Sequence, residues 1–386
     1  MKKQVLFIFW LVNSFYSFQL FSETKTIHVE KAGTFAEYLP EQDRYSVTKL
    51  ILSGELNGTD IQIIRDMAGC VYSETPYNLK DIDMSNVKIV AGGYAYGDSF
   101  KKQNTSNNII GEYMFFGAQI LESIRLPNTT ELIDGLSFSS CPNLKEVVIP
   151  ELVSSIGASA FARCPKLSSI ILPDKITTIE GFTFEESGLT SVKIPQNVTI
   201  MRWGVFRNCD NLSSIDLPES LEHIDYDVFE NCVKLVEIII PEKVQFIGDK
   251  AFYNCYNLKN MYANAKKPPL SISKAFYGIT DVCTLNIPYG TYSLYSTADN
   301  WKDFKNIVEE ENPSSNEIIF SEKLIVYGEN NQLFIESDIP ATAFIYSVSG
   351  SLIKQINIKT GINQVPITSG ICIVSVNGKS YKVLVK

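Results

Sequence analysis

The chain has 386 residues, 45% hydrophobic and 20% charged, with a formal net charge of −9. That balance is ordinary for a globular protein and excludes a disordered chain. The surface is acidic, and no run of like charge exceeds Glu309, Glu310 and Glu311, so the basic footprint of a nucleic-acid binder is excluded as well.

Residues 1–22 read as a secretory signal. Lys2 and Lys3 precede an apolar run from Val5 to Val12, and polarity returns at Ser22-Glu23-Thr24-Lys25. A membrane anchor is the alternative, but Asn13, Ser14 and Ser17 interrupt the run and no basic stop-transfer cluster follows. No other segment is long and apolar enough to span a bilayer, so the expected address is extracellular or the outer cell surface.

A self-similar unit dominates residues 110–265: I-G-x-x-A-F-x-x-C-x-x-L-x-x-I-x-L-P. Its closing prolines are Pro127, Pro150, Pro173, Pro195, Pro218 and Pro241, spaced by 23, 23, 22, 23 and 23 residues. The opening residues are Ile110, Ile133, Ile156, Ile179, Met201, Ile224 and Ile247, and each is followed five residues later by Phe: Phe115, Phe138, Phe161, Phe184, Phe206, Phe229 and Phe252. The column Ile124, Val147, Ile170, Val192, Ile215, Ile238 and Met261 alternates with Leu126, Ile149, Leu172, Ile194, Leu217, Ile240 and Ala263, the period of two of a strand with one buried face. Proline ends the pairing because it has no N–H to give. One unit cannot bury its own apolar side, so the units must stack, their strands about 4.8 Å apart, with caps at both ends. The fold class is mainly β.

Five of the eight cysteines share one column: Cys141, Cys164, Cys209, Cys232 and Cys255. Their spacing lacks the close ligand pairs of a zinc site. Export permits disulfides, yet side chains stacked in parallel do not point at one another. Buried free thiols, each S–H meeting a backbone carbonyl, are the expectation. The only histidines are His28 and His223, and neither sits in a catalytic motif. No phosphate-cradling, zincin or nucleophile-elbow pattern occurs. We expect no enzyme activity, no cofactor and no metal.

The repeat resembles the BspA-like leucine-rich repeats, with Phe, Cys, Leu and Pro at that family's offsets. The pattern departs at Glu186-Ser187-Gly188, where a unit is one residue short, and again at Trp203-Gly204, where a local bulge is expected. The resemblance implies a leucine-rich-repeat solenoid with N- and C-terminal caps. Ala32-Gly33-Thr34 and Leu50 to Asp60 resemble the N-terminal cap, within residues 23–109, and Leu79, Ile82, Met84 and Val87 read as an irregular first repeat. Residues 266–312 resemble the C-terminal cap: Lys266-Lys267-Pro268-Pro269, then Cys283 to Pro288, then Trp301 and Phe304 in an amphipathic turn.

After a linker at Pro313-Ser314-Ser315-Asn316, residues 317–386 alternate in short runs: Leu324 to Tyr327, Leu333 to Ile335, Ala343 to Val348, Ile371 to Val376 and Lys382 to Val385. With turns at Gly350, Gly361, Gly370 and Asn377-Gly378, this predicts a small antiparallel β-sandwich. Phe344 to Gly350, Ser369-Gly370-Ile371 and Lys382 to Lys386 resemble a type IX secretion sorting domain, with Cys372 where that family has Tyr; a structural domain of similar fold is the alternative.

The resemblance implies a secreted or surface protein that mediates adhesion or protein–protein binding, its partners host or microbial surface proteins. The binding column expected from strand alternation is Arg125, Val148, Ile171, Lys193, Asp216, Ile239 and Tyr262, beside Ser123, Glu146, Ser169, Ser191, Ser214, Glu237 and Asn260. Val148, Ile171 and Ile239 are more apolar than solvation requires, unless another layer covers them. A glycan-binding module is the second reading, with Tyr94, Tyr96, Tyr253, Tyr256 and Tyr262 as platforms; a spacer without a ligand is the third.

Overall fold

The computed structural model describes residues 23–70, 77–97, 101–310, 324–329, 332–337, 341–347, 352–367, 370–376 and 379–385. The signal segment, the linker Pro313–Asn316 and the turns at Gly350 and Asn377-Gly378 lie outside them.

A walk through one unit explains the coil. Its first arm is a strand of the parallel ladder; proline then turns the chain, a second, two-residue strand follows, and a tight double turn carries the Phe inward. The first ladder runs Glu23–Val29, Val47–Leu56, Asp81–Ile89, Ser123–Arg125 and Glu146–Val148 in sequence order. It resumes as the pair Ser191–Lys193 and Ser214–Asp216, and again as Glu237–Ile240, Asn260–Ala263, Thr284–Ile287 and Asn306–Glu309. Residues 169–172 keep the alternation, Ile170 and Leu172 buried and Ile171 exposed, but pair with neither neighbour. The sheet is therefore interrupted where seven continuous rungs are expected.

One interruption borders the short unit. There Gly188 lies so close to the preceding unit that a Cβ on it would sit 2.1 Å from the Pro165 carbonyl oxygen. Its N–H donates to Cys164 O at 3.0 Å, and register is regained two residues later by Thr190 N–H to Ser168 O. The second ladder divides at the same place: Ile109–Ile110, Leu132–Ile133, Ser155–Ile156 and Thr178–Ile179 on one side, Ile200–Met201, His223–Ile224, Phe246–Ile247 and Leu270–Ser271 on the other. The deleted residue, not the expected bulge at Trp203, marks the discontinuity.

Inside, the seven Phe rings are fully buried. They stack with Phe276 as an eighth, centroids 5.2–6.0 Å apart and planes within 3–19°. Each buried ring contributes roughly 1.5–3 kcal/mol of transfer free energy. The backbone closes around the column as well. Phe138 N–H donates to Ala160 O, Phe161 N–H to Thr183 O and Phe206 N–H to Val228 O, each bond crossing to the next unit. The double turn places two residues per unit at positive φ, such as Leu136 and Ser140. Asn tolerates that conformation best among non-glycine residues. Asn208, Asn231 and Asn254 hold it in successive units, and their amides form a ladder, Nδ2 to Oδ1, at 2.7 and 2.9 Å.

Both ends are sealed by the same chemistry that builds the middle. At the N-terminal end the helix Gly58–Met67 is capped by Asn57 and Asp60. The Asp60 carboxylate also accepts the N–H groups of Gly33 and Phe35 at 2.6 and 2.9 Å, tying Ala32-Gly33-Thr34 to the helix start. Buried Arg65 donates to the carbonyls of Tyr113 and Met114 and fastens that helix to the first unit. Leu79, Ile82, Met84 and Val87 are buried. At the other end, Trp301 lies 4.6 Å from the Phe276 ring and donates Nε1–H to Pro269 O at 2.8 Å, and Phe304 lies 5.2 Å from Phe276. One core runs without a gap from Ile27 to Phe304.

The C-terminal strands form a second, separate core. Leu324–Glu329, Gln332–Ser337 and Gly361–Pro366 make one antiparallel sheet; Leu352–Ile358, Ala341–Ser347, Gly370–Val376 and Lys379–Val385 make the other. Leu333, Ile335 and Val365 from the first bury against Ile345, Ile358, Val374 and Val376 from the second, the arrangement of a small β-sandwich. Two of its strands, Leu352–Ile358 and Gly361–Pro366, were not among the runs expected from sequence.

Candidate binding surface

Strand register places the expected column on the outward face of the first ladder. Arg125 pairs with Val148, Lys193 with Asp216, and Ile239 with Tyr262. The column extends to Asp83 at one end and Asn286 at the other. Ile171 is 63% exposed and Ile239 50%, while Val148 and Tyr262 are half-buried. Among the described residues no second layer covers the two isoleucines.

The face is chemically graded along the stack. Arg125 Nε lies 3.6 Å from Asp83 Oδ2, and beside it Glu122 bridges Lys80 and Lys145 at 3.2 and 2.5 Å. An apolar step at Val148 and Ile171 follows. Lys193 and Asp216 then sit side by side; burial pushes the Asp216 carboxyl up, and the Lys193 charge draws it partly back. Ile239 and Tyr262 form a second apolar step. Opposed charges and apolar steps on a rigid sheet can hold a partner in one register.

The cysteine column is built as its small size and spacing imply. Cys141, Cys164, Cys209, Cys232 and Cys255 are free and fully buried. Each S–H donates to the carbonyl of a Phe in the preceding unit, at 3.0–3.2 Å: Phe115, Phe138, Phe184, Phe206 and Phe229. Burial pushes the thiols of Cys209 and Cys255 up to about 12, so neither supplies a thiolate at neutral pH. Among the described residues, no group of three or more His, Cys, Asp or Glu is placed to hold a metal ion. His28 is exposed, Nδ1 2.9 Å from Ser53 Oγ, and His223 is half-buried on the second ladder.

The tyrosine platforms need correction. Tyr96 is fully buried, its hydroxyl donating to Glu112 O at 3.0 Å and its phenol pushed up by burial, so it offers no surface. Tyr94 and Tyr256 are exposed, but they lie apart from each other in the fold, and Tyr253 is half-buried against Tyr277 at 4.9 Å. The aromatic surface lies elsewhere, on the outward side of the second ladder. Trp203 is 57% and Tyr226 40% exposed, their rings 6.0 Å apart at 90°. Tyr226 also meets Phe246 at 6.2 Å, and Phe246 meets His223 at 5.9 Å. The sequence does not show this cluster directly, because Trp203 reads as a local bulge in the repeat and His223 as a variable slot. The signal available was that Trp203 and Tyr226 occupy the same offset from Met201 and Ile224.

Residues 87–212 and 202–323 match the model of the BspA type leucine rich repeat region, in six copies. No curated protein matches the chain. Among solved structures, the chain is similar to a leucine-rich repeat protein of T. pallidum, at 31% identity over 39% of this chain and 71% of that one, TM-score 0.38. A leucine-rich cell surface protein from Faecalibacterium prausnitzii shares 25% identity over 55% of this chain and 65% of that one, TM-score 0.40. A leucine-rich repeat protein from Bacteroides ovatus shares 20% over 60% and 69%, TM-score 0.36.

Proposed function

The chain belongs to the BspA-type leucine-rich repeat family, surface proteins that generally bind other proteins, and on that premise we propose that its first ladder is an adhesive face for a host or microbial surface protein. The observation that carries this is the pair of exposed isoleucines on the first-ladder side of the stack, Ile239 within a ladder strand and Ile171 in the unpaired segment that continues the same alternation, each among charged neighbours. Buried apolar anchors ringed by polar groups are where binding energy concentrates. The described residues hold no helix long and apolar enough to cross a membrane. The reading also includes export by the signal segment and delivery to the outer surface by the C-terminal sandwich acting as a type IX sorting domain, which rests on the sequence resemblance of both segments. Removing residues 317–386 should then leave the chain inside the outer membrane of a type IX host, while unchanged surface display would reject that route.

The binding test uses the full chain against immobilised extracellular matrix proteins and whole-cell surface extracts of co-resident bacteria. At least one should be captured, and Ile171→Glu with Ile239→Glu should weaken capture at least tenfold with the thermal midpoint unchanged. Capture indifferent to both substitutions rejects this face.

A further inference from the structure

We infer that the aromatic cluster on the second ladder, Trp203 with Tyr226, Phe246, His223, Asp225 and Arg202, is a carbohydrate-binding site. It is separate from the proposed adhesive face, since it lies on the other ladder of the coil. Residues on either side of an inward strand residue share the outward face. Arg202 follows inward Met201, His223 and Asp225 flank inward Ile224, and Phe246 precedes inward Ile247, so all four project to solvent beside the exposed rings. Register sets His223 opposite Ile200 and Phe246 opposite His223.

Two glycines shape the cluster. In the unit before Trp203 the matching position is Gly181, whose added Cβ would lie 3.8 Å from Trp203 Cβ; no side chain stands at that position, and Trp203 is 57% exposed. Gly248 stands in the column of Arg202 and Asp225, one rung beyond Asp225, and packs so closely on that rung that a Cβ would lie 2.5 Å from the Asp225 backbone carbon. Trp203 itself is fixed: its carbonyl accepts Phe182 N–H at 2.8 Å, and Gly204 N–H donates to Tyr226 O at 2.9 Å.

The polar groups decide the ligand class. Arg202 is only loosely held, Nε 3.9 Å from Glu180 Oε2, and is half exposed. Among the described residues no hydrogen bond reaches the half-buried Asp225 carboxylate. A pyranose ring has one face of C–H bonds and a rim of hydroxyls. The first suits an uncovered indole; the second needs an acceptor and a donor close by, which Asp225 and Arg202 provide. From Trp203 to Phe246 the cluster spans two rungs, about 10 Å, the length of two sugar units. A stable protein interface needs about 800 Å² per partner with charge depleted from its centre, and here charged groups interleave with the rings.

The test is affinity electrophoresis of the full chain in gels containing laminarin, α-mannan, arabinoxylan, pectin or mucin. At least one should retard it. Trp203→Ala should abolish the retardation, Trp203→Phe should keep part of it, Asp225→Asn should weaken it severalfold, and Ile171→Glu should leave it unchanged, so failure here is distinguishable from failure of the adhesive face. Trp203 is the exposed indole among the described residues and Trp301 the fully buried one, so the polysaccharide should also protect emission from iodide quenching. No retardation by any of the five, retardation indifferent to Trp203→Ala, or loss of protein capture rather than sugar binding in Trp203→Ala would each overturn the assignment.

Discussion

The repeat stack and the C-terminal sandwich use the same strands and the same kinds of apolar residue, yet they are stabilised differently. In the stack every unit buries its Phe against the Phe of the next, so the core is a line that each rung both uses and extends. In the sandwich the buried residues among those described face one another across two sheets, and no residue repeats the role of another. The difference teaches where a defect is felt: in the line it is passed to two neighbours, and in the sandwich it is confined to one small core.

Truncating a ring in the middle of the line is the severest way to probe this. Phe184→Ala should cost about 3–5 kcal/mol. In urea, the transition reported by buried Trp301 should move to lower concentration while the sandwich transition stays in place. The reverse substitution is Ile345→Ala, fully buried in the sandwich, which should cost about 2–5 kcal/mol. It should move only the transition that Trp301 does not report, read by far-ultraviolet circular dichroism. If either variant shifts both transitions together, the two cores behave as one cooperative unit and the comparison fails.

Much of the stack was legible because a column read seven times leaves little freedom. A Phe at one offset in every unit must be inside, and a small Cys at another must be packed against backbone. The sandwich was read only in part, since alternation in Leu352–Ile358 and Gly361–Pro366 is diluted by exposed Ile353 and Ile362. The aromatic cluster escaped for a different reason: solvent exposure of Trp203 depends on what the neighbouring rung lacks, and Gly181 is informative only once the rungs are aligned. Tyr96 failed likewise, its burial decided by the distant Glu112 carbonyl rather than by any local pattern. Phe276 was placed in the cap because the Cys and Leu columns lapse after Cys255 and Leu258, although its ring continues the line.

Smaller perturbations sharpen the picture at the stack's weak point. Gly188→Ala forces a Cβ against the Pro165 carbonyl and should cost about 1–3 kcal/mol, measured by thermal unfolding. The same change at Gly135, whose nearest contact is 3.2 Å, should cost less. If the two cost the same, the short unit is not under the close contact described here. Least of all, Cys232→Ala removes one S–H to carbonyl bond and should cost about 0.5–1.5 kcal/mol. The column thiols of the native chain should resist an aromatic disulfide reagent at neutral pH and react only on unfolding; rapid labelling would contradict their burial.

The account stands on a dry interior shared by neighbouring units, and hydrogen exchange of the Phe amides measures that directly. The N–H groups of Phe161, Phe206 and Phe229 each donate across to the next unit at 2.8–3.0 Å. They should exchange only through global opening of the stack, with one common protection free energy that exceeds that of the loop amides. Exchange of these three amides at the rate of an unfolded chain would mean that the rings do not line a common core.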